Sequence, residues 1–558
     1  MNINKLSFKT KSSLIIIVLS LLILVGIYHF DNRVNGRFLW SKVQIDESTY
    51  NSIQTDYELS ETALLSDIYF NDEQLIYDST TNTFYYSKTD DAEGTSPTIT
   101  LENGDNGLRN VLLGQEMKVA IYLDDSLHLV LFQGTKASIS DLVITTLPIL
   151  NITISNETIA ELGLDETYSI TDYAGCSLYL YDNSDDFDQS SRTTVSSAKI
   201  HMRGGTTIGF PQKSYRISLT SKEDNLDSKS KASLLGLRED DDWILYSPYS
   251  DYEKIRNVFA MNMWQEMASG NNEWNAAVSN ESKYVEVFFN NRYHGLYALT
   301  YPVDSKQFSL TDDETLFKKK DWSGTEFSLD LEYTEYDDGS ILYYLPGYSV
   351  EDGAGDYSTL HELYYTLAYS DDISQIRSAC DIDNSIDLWL FYKLSQAVDN
   401  VYSTNVKNLY VATKESDDGL DGYKLLFSPW DMDQTFGNRY VDGQGSHGIT
   451  SYYNTPDYDL PMEWSPVYFL MANGDSEIVK QVQERYTELR STIWSDEYIR
   501  SAIAGYEADI YDSGAFGRTL ERWPDGNYYD QSIKLDDFET YVLERFSYMD
   551  DYIANLSN

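Results

Sequence analysis

The sequence predicts an α+β protein in four parts. These are a cytoplasmic tail with a transmembrane anchor (residues 1–30), a linker (31–45), a small all-β sandwich-like module (46–146) and a larger mixed domain (147–558) whose tail is helical from about residue 462. Three observations carry this reading: an apolar run near the N-terminus, short strand-like segments between turn formers up to about Thr146, and helix-period apolar stripes that dominate only towards the C-terminus.

The apolar run comes first. Lys5, Lys9 and Lys11 precede an almost unbroken aliphatic stretch, and Ser12 to Phe30 just reaches the length of a bilayer-spanning helix, about 17–20 residues. The lysines put the N-terminus in the cytoplasm and the bulk of the chain outside the cell. Only Gly26-Ile27-Tyr28-His29-Phe30 follows the run. With no small-x-small cleavage site there, an uncleaved anchor is favoured over a signal peptide.

Next come Thr83–Tyr86, Thr98–Leu101 and Lys118–Leu123, short segments rich in β-branched and aromatic residues that suit strands of a two-sheet module. The larger domain opens with strands over Ile149–Ile154, Cys176–Tyr181 and Ala198–Met202. A helix is expected at about 251–268, begun by the capping box Ser250-x-x-Glu253 and showing Ile255, Val258, Phe259 and Met263 on one face. Tyr284–Leu299 reads as a hairpin turning on Asn290-Asn291. Ile478–Trp494 and Phe538–Leu556 are the strongest helices of the tail. Cys176 and Cys380 lack metal-ligand spacing. They are either one long-range disulfide or two buried thiols, the latter preferred.

Charge narrows the function. Asp+Glu 90 against Lys+Arg 41 gives a net −49, the wrong sign for binding nucleic acid or anionic headgroups. There is no G-x-x-x-x-G-K-[ST] loop, no G-x-S-x-G and no H-E-x-x-H, which removes the usual P-loop, hydrolase and zinc-protease readings.

Three clusters can carry chemistry. The first is Met202-Arg203-Gly204-Gly205-Thr206-Thr207 with Lys213 after it: a glycine- and threonine-rich turn between strands, able to bring bare N–H groups, Arg203 and Lys213 towards an anion, or else an ordinary turn with a solvated lysine. The second is Asp399-Asn400 with Asn408 ahead of a strand, where a carboxylate can accept a hydroxyl proton and a carboxamide can help hold a metal. The plain alternative is a turn with side-chain caps. The third is Trp430-Asp431-Met432-Asp433 just past a strand, two carboxylates at i and i+2 that suit a hard cation such as Mg2+ or Mn2+, or two turn aspartates. The order strand, Asp loop, hairpin strand, Asp loop is more specific than either loop alone.

These blocks resemble the CotH family of spore-coat kinases. The run Arg203-Gly204 … Pro211-Gln212-Lys213-Ser214-Tyr215-Arg216 is similar to its first block. Leu235-Gly236-Leu237 … Asp242-Trp243-Ile244-Leu245 … Ile255-Arg256-Asn257 is similar to the second, and Asn290-Asn291-Arg292-Tyr293-His294-Gly295-Leu296-Tyr297 to the hairpin. Asp399 … Asn408-Leu409-Tyr410 and Pro429-Trp430-Asp431-Met432-Asp433-Gln434-Thr435-Phe436-Gly437 follow in the family's order and spacing, and Arg485–Arg490 and Arg522-Trp523 fit its helical tail.

The resemblance covers about residues 147–556 and implies an atypical protein-kinase-like core that binds ATP with Mg2+ or Mn2+ and phosphorylates proteins. It implies Lys213 as the phosphate-contacting lysine, with Arg203 and Gly204 in the nucleotide loop. It further implies Asp399 as the catalytic-loop aspartate, Asp431 as the metal aspartate with Asp433 and Asn408 beside it, and Trp430 stacked on the base or packed in the core. Two positions depart from the family pattern: Gly205 replaces an Asn, and Tyr301 replaces a Glu six residues after Gly295. These departures keep a second reading open, an inactive pseudokinase acting in surface or coat assembly or in adhesion. The acidic, Tyr- and Trp-rich composition leaves a third, a carbohydrate-active surface protein with facing carboxylates.

Overall fold

The computed structural model describes residues 40, 43–89, 97–101, 108–109, 119–184, 192–223, 225–323, 332–335, 341–353, 355–441, 446–449, 461–524 and 535–557. The expected anchor and most of the linker lie outside them. Among the described residues no helix is long and apolar enough to cross a membrane.

The N-terminal module pairs two sheets. A six-stranded sheet runs through Ile76–Asp78, Thr83–Ser87, Lys136–Thr145, Leu127–Gln133 and Val119–Leu123, with Glu58–Ser60 on the side, and a four-stranded sheet is built around Ile68–Phe70 and Ile99–Leu101. Alternate residues of both sheets meet in one core containing Ile68, Phe70, Phe84, Tyr86, Leu129 and Leu131. A helix at Glu47–Asp56, not expected from the strand-like pattern, covers the outer face with Ile53, packed near Ala120 and Val130. Its start is marked by Asp46, whose carboxylate accepts from the Thr49 N–H at 2.8 Å.

The next seven strands close a barrel: β1 (Ile149–Thr153), β2 (Ala174–Tyr181), β3 (Thr193–Arg203), β4 (Ser214–Thr220), β5 (Asp242–Tyr246), β6 (Ser282–Phe289) and β7 (Arg292–Thr300), in the order β1-β2-β3-β4-β5-β7-β6. All pairs are antiparallel except β1 with β6, which closes the ring. Tyr215, Ile217 and Leu219 of β4 fill the interior together with Leu178, Ile200 and Trp243. The β6–β7 hairpin turns on Asn290 (φ 51) and Asn291 (φ 65), both left-handed as a two-residue primed turn requires.

A second lobe follows. Helix α1 (Arg256–Ala268), inserted between β5 and β6, packs into its core, and its four-stranded sheet is made of β8 (Thr315–Lys319), β9 (Tyr348–Gly353), β10 (Leu409–Leu420) and β11 (Tyr423–Pro429), ordered β9-β8-β10-β11. Against the sheet lie α2 (Tyr357–Tyr369), α3 (Ile373–Ser378) and α4 (Ile382–Ser395), and the tail adds α5 (Pro466–Ala472), α6 (Ile478–Arg490), α7 (Asp496–Glu507), α8 (Ala515–Arg522) and α9 (Asp536–Ala554). One core joins them, with Trp264, Phe391, Leu426, Val482 and Phe546 buried in it.

The expected capping box is corrected here. Helix α1 starts only at Arg256, and Ser250 and Glu253 do not cap it. The Asp251 carboxylate takes the Arg256 N–H at 2.6 Å instead, while Glu253 binds the Arg256 guanidinium. A buried charge five residues upstream has taken the role that local pattern assigned to Ser250.

The tail ties both lobes. Arg485 reaches buried Asp387 at 2.8 Å in the second lobe. Trp523 donates from Nε1 to the His294 carbonyl of β7 at 2.6 Å. Gly295 (φ +128) lies under this contact, where a Cβ would stand 2.9 Å from Gln212 Nε2 and 3.4 Å from the Trp523 ring nitrogen, so only glycine fits. Both cysteines are buried free thiols, each pushed up to about 12 by burial.

Candidate active site: a charged cleft between the lobes

Strand parity decides which barrel residues face the second lobe. Tyr215 and Ile217 point into the barrel, so Arg216, and Arg203 paired opposite Ser214 at the end of β3, point outward. Across from them the β8–β10 sheet presents Lys318 and Tyr410, and the loop after β11 presents Trp430 and Asp431. The Arg203 guanidinium lies 5.8 Å from the Trp430 ring centre. Lys318 Nζ lies 5.5 Å from the same ring and 4.8 Å from Tyr410, and the two rings meet edge to face at 5.9 Å. Among the described residues neither the Arg203 nor the Lys318 side chain makes a hydrogen bond or ion pair. Burial lowers the affinity of both for their protons; Asp431 opposes the fall at Arg203, Glu351 and Asp431 oppose it at Lys318 while Arg203 adds to it, and Lys318 falls to about 8.

The loop carrying the aspartates is fixed by its backbone. The Trp430 N–H donates to the Asn408 carbonyl at 2.9 Å, and the Trp430 carbonyl accepts from Asn400 Nδ2 at 2.7 Å. Met432 is fully buried, and its N–H donates to Asn257 Oδ1 at 2.8 Å. Asp431 is held at φ 60 and Asn408 at φ 52, the left-handed region that Asp and Asn tolerate better than other side chains with a Cβ. Asp431 is exposed while Asp433 is buried. Burial, then repulsion from Asp431, Asp399 and Asp251, pushes the Asp433 carboxyl well above the usual range. Burial raises Asp399 too, and Lys407, 2.8 Å away, opposes that rise.

Asp399, Asp431 and Asp433 therefore act on one another, with Arg203, Lys318 and Trp430 beside Asp431. Asn408 contributes its backbone carbonyl to the same loop. Gly204 stands at φ +126, where a Cβ would collide with the Thr207 side chain at 2.1 Å, and a short 3-10 turn follows at Thr206–Gly209. Lys213 is not brought to this group. It shares the inward parity of Tyr215, donates to the Ile208 carbonyl at 2.9 Å, and the carboxylate acting on it is Asp165. Tyr301, in place of the family's Glu, packs edge-on to Trp243 under Arg238 at 4.4 Å.

Sequence reasoning missed Lys318, Tyr410 as a cleft residue, and the positioning roles of Asn257 and Asn400. Lys318 carried no motif, being one of three lysines in the run Lys318-Lys319-Lys320.

These features define a two-lobed α+β protein in which Arg203 of the barrel meets Lys318, Tyr410, Trp430 and the Asp431 loop of the second lobe. Residues 200–549 match the family model described as CotH kinase protein, and the chain belongs to that family. The match begins within β3, so β1 and β2 of the barrel precede it. No curated protein matches the chain.

Proposed function

We propose that the chain is an extracytoplasmic, membrane-anchored protein kinase that moves the terminal phosphoryl group of ATP to a protein hydroxyl, with Mg2+ or Mn2+. The observation that carries this reading is the pair Arg203 and Lys318: half-buried cations side by side, without hydrogen-bonded counter-ions among the described residues, opposite a group of mutually repelling carboxylates. Such an arrangement is costly on its own and suits a ligand that brings several negative charges together with a cation.

The residues fit a divalent ion. Among the described residues no group of three or more His, Cys, Asp or Glu side chains is gathered tightly enough to hold a metal. Asp431 and Asp433 would supply two oxygens and phosphate and water the rest, which is how Mg2+ is ordinarily bound. The bound ion supplies charge neutralisation at the transferring phosphoryl group. Arg203 and Lys318 bind phosphate oxygens, and Trp430 and Tyr410 wall the same end against water. Asp399 accepts the proton of the substrate hydroxyl as its oxygen bonds to phosphorus and the bond to the ADP leaving oxygen breaks.

The second reading, binding without transfer, is favoured by Tyr301 in place of the family's Glu and by the ion pair that occupies Asp399. Incubation with radiolabelled ATP and a mixed protein substrate separates the two. Transfer by the wild type that falls at least about a thousandfold in Asp399→Asn supports the kinase. Nucleotide binding without transfer supports the alternative.

A further inference from the structure

Lys407 is bound to the group on which transfer would depend. Its Nζ lies 2.8 Å from Asp399 Oδ1, with side-chain exposures of 19% and 25%. Its backbone is fixed, since its N–H donates to the Asn400 carbonyl at 2.9 Å and the Val401–Val406 bridge closes the loop behind it. Its ammonium also lies 5.3 Å from the Trp322 ring, a contact that tolerates movement better than a hydrogen bond does. Side-chain rotation can therefore carry the charge without moving the loop, as the flexible four-carbon stem of lysine allows. Asp399 also feels the negative charge of Asp431. A terminal phosphoryl group held by Arg203 and Lys318, which both feel Asp431, would thus stand towards Asp399 and the ammonium bound to it.

We infer that Lys407 exchanges partners, holding Asp399 until a nucleoside triphosphate arrives and then passing to the terminal phosphoryl oxygens, so that the site recognises a triphosphate in preference to a diphosphate. The inference rests on the phosphotransfer reading above and extends it to the selectivity of the site. The exchange leaves Asp399 without its counter-ion when a hydroxyl must surrender its proton. The proton moves to the Asp399 carboxylate, the hydroxyl oxygen bonds to phosphorus, and the nucleoside diphosphate leaves with the electrons of the broken P–O bond. With a diphosphate bound, the terminal phosphoryl is missing and Lys407 keeps its ion pair.

The test is calorimetric titration of the full chain with ADP and with a non-hydrolysable ATP analogue, both with Mg2+, for the wild type, Lys407→Gln and Lys407→Arg. The wild type is expected to bind the triphosphate at least about tenfold more tightly than ADP, the size of one hydrogen bond between charged groups. Lys407→Gln should keep the wild-type affinity for ADP and lose that preference, and Lys407→Arg should retain most of it. The preserved ADP affinity reports that the variant is folded. An unchanged preference in Lys407→Gln, or equal loss of both ligands, overturns the inference and leaves Lys407 as a structural partner of Asp399, with the kinase reading intact. Absence of binding of either nucleotide to the wild type overturns both.

Discussion

Two groups of charges flank the Met432–Asp433 segment, and they are built on opposite rules. On one side Asp251, Glu253, Lys254 and Arg256 are all about 1% exposed, two anions against two cations. Arg256 binds both carboxylates, donates to the Phe436 carbonyl and lies 5.3 Å from the Phe538 ring. Between the lobes the charges are close but incompletely paired: Arg203 and Lys318 feel Asp431 without an ion pair among the described residues, Asp433 feels Asp431 and Asp399, and Asp399 is held by Lys407. A buried set with opposite charges in contact holds a fold together. A set left incompletely paired stores electrostatic free energy that a ligand of complementary pattern releases. The difference separates the charges that hold the fold from those proposed to bind a ligand, without reference to any motif.

That contrast can be broken most forcefully at Arg256. Arg256→Ala leaves Asp251 and Glu253 buried without their shared cation and should cost about 3–5 kcal/mol of unfolding free energy, read by denaturant titration. A loss below about 1 kcal/mol would remove the distinction.

Arg203→Met is the matching change on the cleft side. Stability should stay within about 1 kcal/mol of wild type or rise, because a poorly compensated cation is replaced by an apolar side chain of similar length. Affinity for ATP with Mg2+ should fall roughly 10- to 100-fold, the size of one or two hydrogen bonds to charged phosphate. A large stability loss with unchanged binding would put Arg203 among the structural charges.

The smallest effect is expected at Asp433. Its carboxyl titrates above the ordinary range because of burial and neighbouring carboxylates, so the native state holds that proton more tightly than the unfolded chain. The associated stability is fully present below about pH 4, where an ordinary carboxyl is protonated, and is lost as pH rises through the raised value. Asp433→Asn removes the dependence. In metal-free buffer the variant should be the more stable protein at pH 7, and the gap should close on acidification. Thermal unfolding across that pH range checks both the sign and the closure.

Much of the fold was legible because it is local. Asn290-Asn291 demanded a two-residue turn, and the strand expected after the glycine-rich turn is β4, whose Tyr215, Ile217 and Leu219 alternate into the barrel. The same alternation carried information that the motif reading left unused. Lys213 stands two residues before Tyr215 and shares its inward parity, whereas Arg203 and Arg216 face out to the cleft. Asp399 and Asp431 are candidates from their order around the β10–β11 hairpin, and the structure sets them close enough for Asp431 to act on Asp399. Lys318 is not one, because its place beside Trp430 depends on β8 pairing with a strand far along the chain, Lys318 opposite Tyr410. The capping box failed for a related reason. Ser250 and Glu253 have the right spacing, but a buried arginine at 256 outcompetes the helix end for the glutamate.

The central claim is that the incompletely paired charges between the lobes form a nucleotide–metal site. Its most direct test is calorimetric titration of ATP into the full chain, with and without Mg2+ or Mn2+, for the wild type and Asp431→Asn. Asn is suited to the left-handed backbone at 431, and the side chain is exposed, so the variant should fold as the wild type does. The account predicts metal-dependent binding by the wild type that is abolished in the variant. Absence of binding by a well-folded wild type, or equal binding by both proteins, would contradict it.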